Sequence, residues 1–193
     1  MYRHCKALFA VSTLIVSLVL IPPVHAKTFN EPDIKAAFLY YFLHFISWPE
    51  NDLGNKTKPY KLCTLGESSV TRSLELILAS PKAVNIAVEV HVISKAAQAT
   101  ECNYVYIGPL SNEYAAPVIA LTRKNSILTV SDNDGFAKLG GMIEMKRKAK
   151  KVTVTINLEA LTADGLKASS KLLNLADIVS TPNFQGATNV PAE

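Results

Sequence analysis

Few residue groupings in this chain could carry chemistry, and most of them fail at the position where the chemistry is made. Gly135 and Gly140 have the Gly-x-x-x-x-Gly spacing of a phosphate loop. Gly141 and Met142, however, stand where the lysine and the hydroxyl residue belong, and the residues after them pattern as a strand rather than a helix whose amides could hold phosphate. Tight turn geometry is the expected use of these glycines. Asp132-Asn133-Asp134-Gly135 has the composition of a cation loop. With Gly135 at the sixth position of an EF-hand, Val130 and Gly141 would fill the first and twelfth places, where carboxylates are required. The expectation is a strand-to-helix turn capped by aspartate, with a looser cation site as the alternative. His44 and His91 lie in no His-x-x-x-His spacing and beside no Gly-x-Ser-x-Gly elbow, so metal hydrolysis and serine hydrolysis both lack their minimum parts. The chain is read as no enzyme, with no metal and no cofactor, although paired carboxylates that meet in space leave no linear trace.

Two groupings survive as candidates. Cys63 and Cys102 are the only cysteines after residue 26, an even pair. In an oxidising compartment the economical reading is one disulfide, against two buried free thiols as the alternative. Lys146-Arg147-Lys148-Ala149-Lys150-Lys151 places five cations in six residues at an inferred hairpin tip. That run is either a solvated tip or an attractive surface for an acidic partner or anionic lipid, with each cation worth about 1 kcal/mol at such a membrane. Asn55-Lys56-Thr57 is formally a glycosylation triplet, and nothing in the chain argues for a pathway that would use it.

The start of the chain supplies the compartment. Arg3, His4 and Lys6 precede an apolar run from Ala7 to Ile21, and Pro22-Pro23-Val24-His25-Ala26 closes it. Charged start, short apolar middle and small residues before the cut are the pattern of a cleaved signal peptide over residues 1–26. Removing 26 of 193 residues leaves 167, enough for one domain with a real core. Loss of Arg3 and Lys6 lowers the formal charge from +4 to +2, which implies no nucleic-acid partner.

Ile34 to Trp48 is a helix without a polar face. Lys35, His44 and Ser47 are its only polar residues, and at about 100° per residue they point in widely separated directions. Such a helix must be covered on most sides, by its own core, a second copy or a partner. Asn30 can cap it and Pro49 ends it. Downstream, Tyr60 to Gly66 reads as a strand, Ser68 or Ser69 caps a helix through Leu78, and Asn85 to Ile93 alternates as a half-buried strand near an edge. Cys102 to Gly108 is a strand, Pro117 to Thr122 a helix, and Ser126 to Ser131 a strand. Met142–Lys146 and Val152–Asn157 form a hairpin, and Ala168, Leu172, Leu175, Ala176 and Val179 make the stripe of a closing helix. The expected fold is a single α/β domain over residues 27–180, a mixed β-sheet with helices on both faces and a C-terminal hairpin and helix, followed by a flexible tail at 181–193.

Several segments taken in order resemble the YfiR-like family of periplasmic proteins. They are Ile34-Lys-Ala-Ala-Phe-Leu-Tyr-Tyr-Phe-Leu with its ending Trp48-Pro49, Leu62-Cys-Thr-Leu-Gly66, Leu128-Thr-Val-Ser-Asp132, Phe136-Ala137 with Gly140-Gly-Met-Ile143, Ile156-Asn157, and Ser169-Ser170 through Leu172-Leu-Asn-Leu-Ala176. The resemblance implies a periplasmic regulator that represses an inner-membrane diguanylate cyclase by binding its periplasmic sensory domain, holding down cyclic di-GMP synthesis and biofilm. It further implies relief by an outer-membrane lipoprotein, a domain able to form a homodimer, and the disulfide between Cys63 and Cys102. A second cysteine pair carried by some relatives is missing here, since Ala137 to Lys151 contains none. Partner contact is expected at Tyr40, Tyr41, His44 and Trp48 and at Lys146, Arg147 and Lys148. The alternative function is a small-molecule-binding module that feeds a sensor kinase or other receptor.

Overall fold

The computed structural model describes residues 30–49, 54–55, 57–80, 86–149 and 151–181. The expected signal peptide and the tail past Thr181 lie outside the described residues. Asn30 accepts the Asp33 amide at 3.1 Å and opens α1 (Glu31–Phe45), with Pro32 tolerated in the first turn. The helix stops sooner than periodicity alone predicts. Ile46–Ser47 instead forms a short strand, β1, antiparallel to β8 (Lys167–Ala168), and Ser169 donates its amide to the Phe45 carbonyl at 2.8 Å. A partner strand distant in sequence satisfies the backbone that another helical turn would have used.

The main sheet contains β2 (Tyr60–Leu65), β3 (Val88–Ile93), β4 (Tyr104–Ile107), β5 (Leu128–Ser131), β6 (Ile143–Lys148), β7 (Lys151–Asn157) and β9 (Ala176–Val179). Its order is β3-β2-β4-β5-β6-β7-β9. The first five strands run parallel, while β7 returns antiparallel to β6 and β9 lies parallel to β7. The hairpin is as expected, and the half-buried character of β3 reflects its place at the sheet edge, with Val92 44% exposed.

Helices cover both faces, and the period of two in the strands sorts side chains between them. Leu62, Tyr104, Tyr106, Leu128 and Val130 pack on one face with Leu39 and Phe42 of α1 and Leu74 of α2 (Ser69–Leu78). Cys63, Leu65, Val105 and Ile107 occupy the other, against Val118 and Ile119 of α3 (Ala115–Thr122) and Ala99 of a 3₁₀ turn, Ala96–Glu101. β4 and β5 are buried throughout, as parallel strands covered on both sides must be.

The C-terminal stripe is the main correction. After α4 (Leu158–Ala163), the expected helix shrinks to one turn, α5 (Ser170–Leu173), capped by Ser169, and β9 comes next. Leu172 is buried but Leu175 is 79% exposed, so the helical spacing does not correspond to one buried face. The unfilled ladder of β7 recruits the segment as a strand instead.

Candidate functional site at the carboxyl ends of the parallel strands

Strand order reverses between β2 and β4, because the chain leaves β2 for one side of the sheet and returns to β4 on the other. In open α/β sheets the crevice outside the carboxyl ends of such strands is where ligands bind. Here a cleft of about 470 Å³ opens at that point, between Leu65 to Val70 after β2, Tyr106 to Pro109 after β4, Asp132 after β5, and the first turn of α1.

Lys35 organises its floor. One turn into α1, its ammonium lies 2.9 Å from Glu31 Oε1 and 2.5 Å from Asp132 Oδ2, and the lysine is 8% exposed. Burial pushes the Lys35 pKa down, but the hydrogen bonds and charges of Asp132 and Glu31 more than offset it and leave it above the ordinary lysine value. The hydrogen bond from Lys35 lowers the Glu31 pKa; desolvation opposes that, and the charges of Lys35 and Arg147 reinforce it, leaving the carboxyl below its usual range. Glu31 Oε2 also accepts from Arg147 Nη1 at 3.0 Å, and Asp33 accepts from Ser73 at 2.8 Å. The start of α1 is thereby tied to β5, β6 and α2. Periodicity gave no sign of this cluster, because a lone lysine in an apolar helix carries no record of a partner 97 residues away.

The acidic loop is built otherwise than by capping. Asp132 is spent on Lys35, and turns rather than a helix occupy Asp134 to Gly140. Glu144 of β6, 2% exposed, accepts the amides of Gly135 at 3.2 Å and Ala137 at 3.0 Å, and Lys146 lies 2.8 Å from it. Gly141 is required by close approach, since a Cβ there would run into the Phe136 ring. Among the described residues no group of three or more His, Cys, Asp or Glu side chains could hold a metal ion. Replacing Glu144 by alanine leaves the buried Ala137 amide and the half-buried Gly135 amide without their acceptor and is expected to cost about 2–4 kcal/mol; urea denaturation measures it, and an unchanged midpoint would refute the role.

The expected contact residues separate into distinct environments. Tyr41 is 52% exposed and His44 is exposed, with Ile34 and Ala37 continuing the same side of α1 and Tyr40, Phe38 and Phe45 half-buried beside them. Tyr40 and His44 rings meet edge to face at 4.8 Å, and His44 Nδ1 lies 3.3 Å from the Tyr40 carbonyl. Trp48 does not join this surface. It is 5% exposed, packs on Tyr60 at 4.7 Å between ring centroids and donates to the Asn103 carbonyl at 3.3 Å. The basic run lies largely within the hairpin strands, and its charges are partly committed. Lys146 pairs with Glu144 and Asp134 and Arg147 with Glu31, while Lys148 and Lys151 are exposed. Cys63 and Cys102 are joined in a disulfide.

Comparison with known proteins settles the relationship. A YfiR/HmsC-like family model matches residues 32–177, nearly the whole described fold. The chain belongs to the YfiR/HmsC-like family. The family supports a periplasmic regulatory role in general. No curated protein matches in a sequence search. Among solved structures, a conserved domain protein from Vibrio cholerae is 11% identical with a TM-score of 0.53, covering 77% of this chain and 60% of its own. CD0873 from Clostridium difficile, described as a substrate binding protein with adhesive properties in its ligand-free, open form, is 11% identical with a TM-score of 0.50, covering 75% and 59%. An ABC domain in complex with L-Trp from Streptococcus pneumonia is 8% identical with a TM-score of 0.48, covering 62% and 56%. The chain spans less than two thirds of each of these structures. At such identities the first two likenesses show the α/β fold. Among the described residues no helix is long and apolar enough to cross a membrane.

Proposed function

We propose that this YfiR/HmsC-like chain is exported by its signal peptide and represses an inner-membrane diguanylate cyclase by binding the cyclase's periplasmic sensory domain. The observation that carries this reading is the exposed side of α1, where Tyr41 and His44 stand at the surface of a helix otherwise packed into the core. An aromatic stripe left uncovered on a family member with a regulatory role is suited to a protein partner, because such rings bury large area at small entropic cost. Repression requires that the partner's inactive state bind this surface more tightly than its active state. Lys148 and Lys151 at the hairpin would steer an acidic partner, and an outer-membrane lipoprotein would relieve repression by competing for the repressor. Trp48, being buried, contributes by holding α1 in place.

Deleting the gene is expected to raise cyclic di-GMP and biofilm, and unchanged levels of both would sink the proposal. Tyr41→Glu is expected to leave stability within about 0.5 kcal/mol, as for other exposed sites, while removing the cyclase from a periplasmic pull-down. Retention of the cyclase by that variant at wild-type yield would move the docking surface elsewhere.

A further inference from the structure

The main sheet ends at β3 with one row of backbone groups unused. The Ala87 carbonyl accepts the Tyr60 amide and the Ile93 carbonyl accepts the Gly66 amide, each at 2.9 Å, so every second residue from Ala87 to Ile93 turns its backbone toward β2. Val88, Val90 and Val92 therefore aim their N–H and C=O groups away from the sheet, and among the described residues nothing pairs with that row. Edge strands are ordinarily protected by lysine, proline, a bulge or shortness. β3 keeps six residues in unbroken register with β2 and contains neither lysine nor proline. Around Val90 it reads Val-Glu-Val-His-Val, alike in both directions except that an acid on one side answers a base on the other. The valines turn to the α1 face, where Val88 and Val90 pack against the core and Val92 is 44% exposed. Glu89 and His91 stand on the opposite face with side chains 62% and 42% exposed. Within one copy His91 Nε2 lies 3.5 Å from Glu89 Oε2, too long for a strong hydrogen bond.

We infer that β3 pairs antiparallel with β3 of a second copy of this chain, about a two-fold axis through Val90. The register follows from the outward groups. Val90 faces Val90, and Val88 of each copy faces Val92 of the other, each as a hydrogen-bonded pair, so the unused row is satisfied on both sides. The pairs between them set Glu89 of each copy opposite His91 of the other, where cross-strand side chains approach most closely. A slip of one residue would oppose outward groups to groups already bonded to β2, and a slip of two would set Glu89 against Glu89 or His91 against His91. Self-complementarity of this kind is what a two-fold interface requires. β9, at the other edge, has only four residues, and Asp177 is its one charge, so the same operation there finds no opposite charge. Facing residues of an antiparallel pair share a face, which puts α1 of both copies on one side of a continuous sheet. The pairing does not depend on which receptor the protein regulates.

Analytical ultracentrifugation of the mature chain over a concentration series is expected to show a dimer with a dissociation constant below about 100 μM. Val90→Pro deletes an N–H that a single copy does not use, at an edge position of the kind that tolerates proline, and is expected to leave the circular dichroism spectrum unchanged and the chain monomeric. His91→Glu places carboxylates opposite one another at both Glu89 positions and is expected to weaken the dimer about tenfold. Adding Glu89→His to that variant exchanges the two residues, restores an acid opposite a base across the axis, and is expected to return the dissociation constant to within about threefold of wild type. Loss of strand structure alone would not be rescued by the exchange, so the charge pair tests the register even where the proline variant folds poorly. A wild-type chain that stays monomeric at about 100 μM, a dimer that His91→Glu leaves unchanged, or an exchange that fails to recover it would overturn the inference.

Discussion

Replacing Lys35 by methionine is expected to destabilise the protein by about 3–5 kcal/mol, more than loss of a surface ion pair could explain. Methionine keeps the length and apolar stem of lysine, so packing of α1 is largely preserved. What is lost is the cation that pairs with Asp132, whose side chain is 3% exposed. The carboxylate would then be buried without a counterion, or would take up a proton at a cost in free energy. The pH dependence gives a second signature. The Glu31 pKa is lowered from 4.5, so its share of the stabilisation is present above that value and is lost as pH falls through the lower folded value. The Lys35 pKa is raised from 10.5, so its share is complete below that value and is lost as pH rises through the folded one. The gap between wild type and Lys35→Met is therefore expected to be flat from about pH 5 to 10 and to narrow in acid. Urea denaturation across that range measures it, and a cost under about 1 kcal/mol at neutral pH would show that the cluster is only decorative.

Removing the Cys63–Cys102 bridge is expected to cost about 4 kcal/mol on the chain-entropy model, since the two positions are 39 residues apart. Alanine at both positions is the suitable variant, because Cys63 is fully buried and Cys102 is 4% exposed in the apolar cluster beneath α3. Serine would add unsatisfied hydroxyls to the same cluster. At roughly 2–4 °C per kcal/mol for a domain of this size, the melting temperature should fall by about 10 °C. The bridge closes the segment containing α2, β3 and the 3₁₀ turn, so its loss also loosens one wall of the switch-point cleft. Superimposable melting curves with and without reductant would contradict this account.

Where local pattern and tertiary demand agree, the elements were legible in advance. The alternation of β3, the apolar runs of β2, β4 and β5, the cap at Asn30 and the hairpin with arms at Met142–Lys146 and Val152–Asn157 all arise from residue type and spacing, and the structure extends its ladder to Lys148 and Lys151. The resemblance that runs through Ile34, Leu62, Leu128 and Gly140 was also readable, and the family match over residues 32–177 agrees with it. The C-terminal stripe was misread because a spacing of three and four also suits one helical turn followed by a strand. Nothing local reports that β7 has an open edge.

The sequence by itself determined the strands β2 to β7, the helices α1 to α3 and the need to cover α1 almost all round, because each depends on neighbours within a few residues, and it offered the two cysteines as an even pair by count alone. Only the tertiary structure decided which side of α1 stays open at Tyr41 and His44, and that Trp48 is enclosed by Tyr60 and Asn103. It also decided that Lys35 joins Glu31 and Asp132 beneath the cleft at the strand ends. Those arrangements join strand ends and a helix that lie tens of residues apart. Charge pairing and burial act through space, so a linear pattern records the groups and leaves their meeting to the fold.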